Sequence, residues 1–225
     1  MLEYFFRHSE DLNTNIKMPL VRGLLLVYLI LIYKLRHRRK ILSIQLGSLF
    51  IIEIALFLWY YSGRRLFIKE GLPLYHCWIA AFMMAISFFR KNYKLSNYFA
   101  WLGIIGTLIA YSFPDPSKYL WPHITNLTYI LGHILSIGSA LMILTNEKRE
   151  LDFRFICKLT LAMNFVIYLV NKIASANYGY LNHLPESFPI NFPSPVLYLG
   201  ISLGLIFLIY KLSRINLRKV LSSYN

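Results

Sequence analysis

Charge is what this sequence has least of. Only 15% of its 225 residues are charged, against about 25% in a soluble domain. Acidic residues number just 10. A chain this poor in charge cannot cover a water-facing surface, and the soluble enzyme classes fall away. Cysteine is scarce too, at two residues, Cys77 and Cys157. They fall at opposite ends of the apolar stretches delimited below, and across a bilayer core about 30 Å thick they cannot meet in a disulfide. No His/Cys spacing of zinc type occurs, so neither a metal nor another cofactor is expected. Internal repeats and low-complexity tracts are also missing. No cleavable leader is expected, because residues 1–17 carry Glu3, Glu10 and Asp11 where a leader would be basic and then apolar.

What is present is apolar: 57% hydrophobic, 16% aromatic, with a mean hydropathy of +0.50. The apolar residues come in blocks rather than dispersed. A transmembrane helix needs about 20 mostly apolar residues. Seven stretches approach that length: 18–35, 41–62, 72–89, 95–111, 124–144, 155–174 and 195–210. The first contains Arg22, which lies near one end, where a long side chain reaches the interface. The chain therefore reads as all-α, a polytopic membrane protein of seven transmembrane helices. A short extracytoplasmic segment covers 1–17, a single transmembrane domain 18–210 and a basic tail 211–225.

The net charge of +14 would point a soluble protein toward nucleic acid. Here it sets topology, since basic loops stay on the cytoplasmic side. Connections after the odd-numbered stretches, with the tail, hold 16 Lys and Arg; the N-terminus and the other connections hold 7, and Arg22 completes the 24. The N-terminus is expected outside and the C-terminus in the cytoplasm, in a bacterial plasma membrane. Membrane lipids are the expected partners; nucleic acid is not. The outer connections are long and rich in proline and aromatics, SFPDPSKYLWPH over 112–123 and SANYGYLNHLPESFPINFPS over 175–194. They read either as plain connections with an aromatic belt or as caps over a cavity open to the outer leaflet.

Polar side chains within spans are costly and mark functional candidates. Glu53 lies about 18 Å into the second stretch, near the midplane. Cys77 follows Leu72-Pro73-Leu74-Tyr75-His76, with Pro73 expected in the first turn and Cys77 about 8 Å into the helix. His133 lies about 14 Å into the fifth stretch, with Asn126 and Ile130 on its face and Tyr129 one turn above. Gly132, Ser136 and Ser139 form a small-residue packing seam beside it. Thr160, Asn164, Tyr168, Asn171 and Ser175 make one polar stripe down the sixth stretch, expected to line a cavity or join helices.

Cys77 and His133 differ in expected depth by roughly 6 Å, which tilt and side-chain length can close. A Cys–His pair is the smallest activated thiol: the imidazole takes the proton, the thiolate attacks a carbonyl and an acyl-thioester forms. His76, Tyr75, Asn164 and Asn171 are candidates to hold the oxyanion. The rival reading is a small transporter or channel with a polar path lined by Glu53, Asn164, Asn171 and His133. A non-catalytic scaffold for envelope assembly is a third.

Leu72–Cys77, the segment 97–144 with Pro114, Pro122 and the His133 helix, and Asn171 with Asn177-Tyr178 together resemble the YwaF-like bacterial membrane proteins. That group is related to the eukaryotic transmembrane protein 164. The likeness covers about 70–182 and weakens before the second stretch. It implies a seven-span fold and a phospholipid acyltransferase whose cysteine and histidine fall on Cys77 and His133. One departure is the His often found two places before the cysteine, where this chain has Tyr75 followed by His76. The reading that combines both lines is transacylation or acyl hydrolysis of outer-leaflet glycerolipids, with Asn126, Asn177 and Tyr178 among the supporting residues.

Overall fold

The structure is a computed structural model that describes residues 2–64, 66–185, 190 and 192–215. The described residues form helices and no strand. They are α1 (Leu2–Phe5), α2 (Met18–Leu35), α3 (Arg39–Gly63), α4 (His76–Phe89), α5 (Tyr93–Ser112), α6 (Ile124–Asn146), α7 (Phe153–Ala174) and α8 (Ser194–Ser213). A π turn at Phe67–Gly71 and a 3-10 turn at Tyr178–Tyr180 interrupt two connections. Five helices, α2, α3, α6, α7 and α8, are long and apolar enough to cross a membrane. Residues 216–225 of the expected tail, and 186–189 and 191 of the long last connection, lie outside the described residues.

Local chemistry sets the helix starts. Pro19 and Pro195 occupy first-turn positions of α2 and α8, where a missing N–H does no harm. Asn92 caps α5 by accepting from the Leu95 N–H at 3.2 Å, and Asp152 caps α7 from Phe155 N–H at 2.8 Å. His123 caps α6: its Nδ1 accepts from the Thr125 N–H at 3.3 Å, while its Nε2–H donates to the Arg7 carbonyl at 2.9 Å. That second bond ties the N-terminal segment to the head of α6. Asp11 strengthens the tie through an ion pair with Arg7 and a bond from the Leu120 N–H at 2.7 Å.

One boundary differs from the sequence expectation. The third apolar stretch is helical only from His76, and Leu72-Pro73-Leu74-Tyr75 enters it in extended form, with ψ of 140° at Leu72 and 139° at Tyr75. Proline biases its predecessor away from the helical region. The Tyr178 hydroxyl then fixes the strand-like entry by accepting from the Leu72 N–H at 3.0 Å. Cys77 consequently sits in the first turn of α4 rather than about 8 Å inside it. At 14 residues, α4 is about 21 Å long.

Helices α3, α4, α5 and α6 pack in a ring, α4 against α3 and α5, and α6 against the same two from the other side. α5 is buried on all faces from Ser96 to Ile105, so packing rather than hydropathy keeps it inside. α2 packs on α6, while α7 and α8 pair and lean on α5. The small-residue seam of α6 behaves as expected: Ser139 donates to Gln45 of α3 at 3.3 Å, and Ser136 faces Gly103 of α5. Arg22 donates to the Tyr111 carbonyl at 2.9 Å, closing the end of α5.

Candidate functional site

α5 brings the two catalytic candidates to one level. Gly106 lies against Cys77 of α4, so close that a Cβ added there would stand 3.5 Å from the Cys77 Cβ. Its neighbour Thr107 donates to the His133 carbonyl of α6 at 3.2 Å. Adjacent α5 residues thus touch both. Two tyrosine hydroxyls lock the same helix pair, Tyr111 donating to Ile130 O at 2.8 Å and Tyr129 to Ala110 O at 2.6 Å.

The His133 ring is held by one backbone hydrogen bond. Its Nδ1–H donates to the Tyr129 carbonyl at 2.7 Å, which in a neutral imidazole leaves the lone pair on Nε2. Nε2 is buried and has no hydrogen-bond partner among the described residues. Tyr111 and Tyr129 flank the ring, with centroids at 5.6 and 5.0 Å. No hydrogen bond joins His133 to Cys77 among the described residues.

Cys77 is a partly exposed free thiol. Its position in the first turn of α4 places it among N–H groups that no preceding turn can satisfy. The Ile79 N–H bonds the Tyr75 carbonyl at 2.9 Å, so the N–H groups of Cys77 and Trp78, two and one residues earlier, belong to the first turn that no intrahelical carbonyl satisfies. An oxyanion formed at a carbonyl on the sulfur would meet these preorganised donors. Glu53 of α3 completes the level: its Oε1 presses against Gly132, the residue before His133, and it lies within electrostatic range of Cys77.

The remaining polar candidates are committed elsewhere. His76 Nε2–H donates to Asn164 Oδ1 at 2.7 Å, and Asn164 Nδ2 donates to Ser202 Oγ at 2.9 Å, a chain across α4, α7 and α8. Thr160 bonds the Tyr98 hydroxyl at 2.7 Å. Asn171 holds the backbone of Tyr178, and Asn177 accepts from the N–H groups of Asn182 and His183 at 3.1 Å each. Asn126 Nδ2 donates to the Tyr119 carbonyl at 2.9 Å. The α7 stripe therefore joins helices and shapes loops. Tyr75 packs its ring on Tyr178 and Tyr180, one residue before the helix that carries Cys77.

The two long connections meet beside Tyr75. Tyr180, with φ of 57°, donates its hydroxyl to Asp115 at 2.9 Å. Sequence reasoning did not single out this pair, nor Gly106, and it placed Gly132 only in a packing seam. The glycines carry a visible signal in hindsight, since helix-interior glycine is unfavourable unless something approaches closely.

Neither a curated protein nor a solved structure matches the chain. The model of the TMEM164 family matches residues 10–213, a range that takes in all the long helices and both Cys77 and His133. By that match the chain belongs to the TMEM164 family, a membrane protein with several apolar helices of spanning length.

Proposed function

We propose that this protein is a membrane-embedded acyltransferase that takes an acyl chain from a glycerolipid of the outer leaflet as a thioester on Cys77, with His133 as the base. The observation that carries the reading is the buried, unpartnered Nε2 of His133 at the level of a cysteine in the first turn of a helix. The thiol proton passes to Nε2, the sulfur attacks the ester carbonyl and the ester C–O bond breaks. The leaving alcohol takes the proton back from the imidazolium. In the second half an acceptor hydroxyl or water gives its proton to Nε2 as it attacks the thioester carbonyl, the carbon–sulfur bond breaks, and the thiolate takes the proton back.

In this reading all seven long helices span a bacterial plasma membrane, with the N-terminus outside and the C-terminus in the cytoplasm. The connections at one end, with the tail, hold 16 Lys and Arg against 7 on the other side, which supports that orientation. It places Cys77 at the extracytoplasmic side, away from cytoplasmic acyl-CoA, and so favours a lipid acyl donor. A polar transport path has less support, because Asn164 and Asn171 are fully buried and bonded to other elements.

The test is protein in lipid nanodiscs supplied with a phospholipid bearing an alkyne-tagged acyl chain. A hydroxylamine-labile adduct mapping to Cys77, absent in Cys77→Ala and strongly reduced in His133→Ala, is the expected result. An unlabelled Cys77 with unchanged lipid would falsify the reading.

A further inference from the structure

The ring of helices around Cys77 and His133 encloses polar atoms that the described residues leave unsatisfied. Glu53 is 8% exposed, and no described residue hydrogen-bonds or ion-pairs with its carboxyl group. Ser136 is 3% exposed with its Oγ unpartnered, and His133 Nε2 is unpartnered as well. His133 and Ser136 both lie on α6, and Glu53 of α3 rests beside that helix. Gly132, against which Glu53 rests, precedes His133 by one residue and Ser136 by one helical turn.

Two glycines let these polar atoms approach the neighbouring helix backbones closely. A Cβ on Gly132 would stand 2.8 Å from Glu53 Oε1, and a Cβ on Gly103 would stand 2.8 Å from Ser136 Oγ. A carboxyl, a hydroxyl and an imidazole nitrogen offer the two to four polar contacts that a buried water requires. Buried polar groups are otherwise paired in folded proteins.

We propose that Glu53 and Ser136 hold a water molecule at this level, within reach of His133, and that this water competes with the lipid acceptor for the acyl chain. The inference rests on the acyl-thioester reading for its consequence but not for the site. Water attacks the thioester carbonyl, its proton goes to Nε2, and the carbon–sulfur bond breaks. The thiolate then recovers the proton from the imidazolium, and a free fatty acid leaves. Glu53 acts here as a positioning residue that sets the ratio of hydrolysis to transfer.

The first arm of the experiment needs no turnover. Met84 is fully buried, and its Cε lies 4.0 Å from the Cβ position at Gly103, next to Ser136. X-ray radiolytic footprinting oxidises buried side chains that adjoin bound water. Met84 is expected to oxidise in the wild type and in Glu53→Gln, which retains hydrogen bonding, and to be protected in Glu53→Leu combined with Ser136→Ala. Partly exposed Met18 serves as the dose control. A Met84 as protected in the wild type as in the double variant overturns the water site.

The second arm measures free fatty acid against transferred chain per thioester formed. Glu53→Leu is expected to lower that ratio about fivefold, the worth of one hydrogen bond, with Glu53→Gln close to wild type. An unchanged ratio while the thioester still forms overturns the role of Glu53. Absence of any thioester on Cys77 counts against the acyltransferase reading instead, and the Met84 result stands by itself.

Discussion

Asn171 grips both backbone polar groups of Tyr178. Its Nδ2 donates to the Tyr178 carbonyl and its Oδ1 accepts from the Tyr178 N–H, both at 2.8 Å. Tyr178 in turn donates its hydroxyl to the Ile68 carbonyl at 2.9 Å and receives the Leu72 N–H. One side chain of α7 thereby fixes the extended entry to α4, and with it the height of Cys77.

Asn171→Ala is expected to strand two buried backbone groups and cost about 2 kcal/mol, within the 1–3 typical for such losses. The loss appears as a lower thermal midpoint in detergent and as faster proteolysis of the segment 175–185. Asn171→Asp, which keeps the acceptor, falls between. Equal stability of all three forms would show that the grip contributes nothing.

Replacing His133 separates chemistry from packing. General-base catalysis contributes about 10²–10⁴-fold, so His133→Gln is expected to slow thioester formation by that order while the protein remains folded. Stopped-time labelling of Cys77 gives the rate. Labelling as fast as in the wild type assigns the proton transfer to another group.

Gly106 is a graded probe of access to the sulfur. A methyl group at Gly106→Ala meets Cys77 at ordinary van der Waals distance and is expected to leave maleimide labelling of Cys77 nearly unchanged. Gly106→Leu overfills the contact, costs about 1–3 kcal/mol and suppresses labelling. Full labelling in the leucine variant would mean that the thiol is approached from elsewhere.

A pH effect follows from His123. Burial, above all, pushes its imidazole down from 6.5 to about 4, with the charge of Arg7 adding to the effect and its carbonyl and Asp11 opposing it. The unfolded chain therefore binds a proton near 6.5 that the folded chain refuses until about 4. Stability is fully present above pH 6.5 and declines as the pH falls toward 4. His123→Asn keeps a helix cap and is expected to flatten this slope. Thermal midpoints between those pH values check it, and parallel slopes for the two proteins would exclude His123 as the source.

Much of this architecture was legible because apolar blocks with polar punctuation translate directly into helices. Each of the seven stretches contains a helix, and the seam of Gly132, Ser136 and Ser139 packs as its spacing implies. The start of α4 was not legible. Leu-Pro-Leu-Tyr is as apolar as the helix that follows, and what holds it extended is a tyrosine hydroxyl 106 residues further along. The α7 stripe was visible as a pattern, yet its meaning depends on His76, Tyr98 and Ser202, which only the packing brings to it. For the same reason spacing along single helices could not show that Gly106 and Thr107 bring Cys77 and His133 level.

The brevity of α4 has a consequence for any lipid that approaches it. A helix of about 21 Å falls short of a hydrocarbon layer of about 30 Å, and the missing length lies on the side of Leu72–Tyr75. In the orientation proposed above, this would recess the thiol below the headgroup plane, where the carboxylic ester bonds of glycerolipids reside. On the proposed reading, a diacyl lipid resting in its own leaflet would then present its carbonyl by sideways diffusion alone, with no extraction into water.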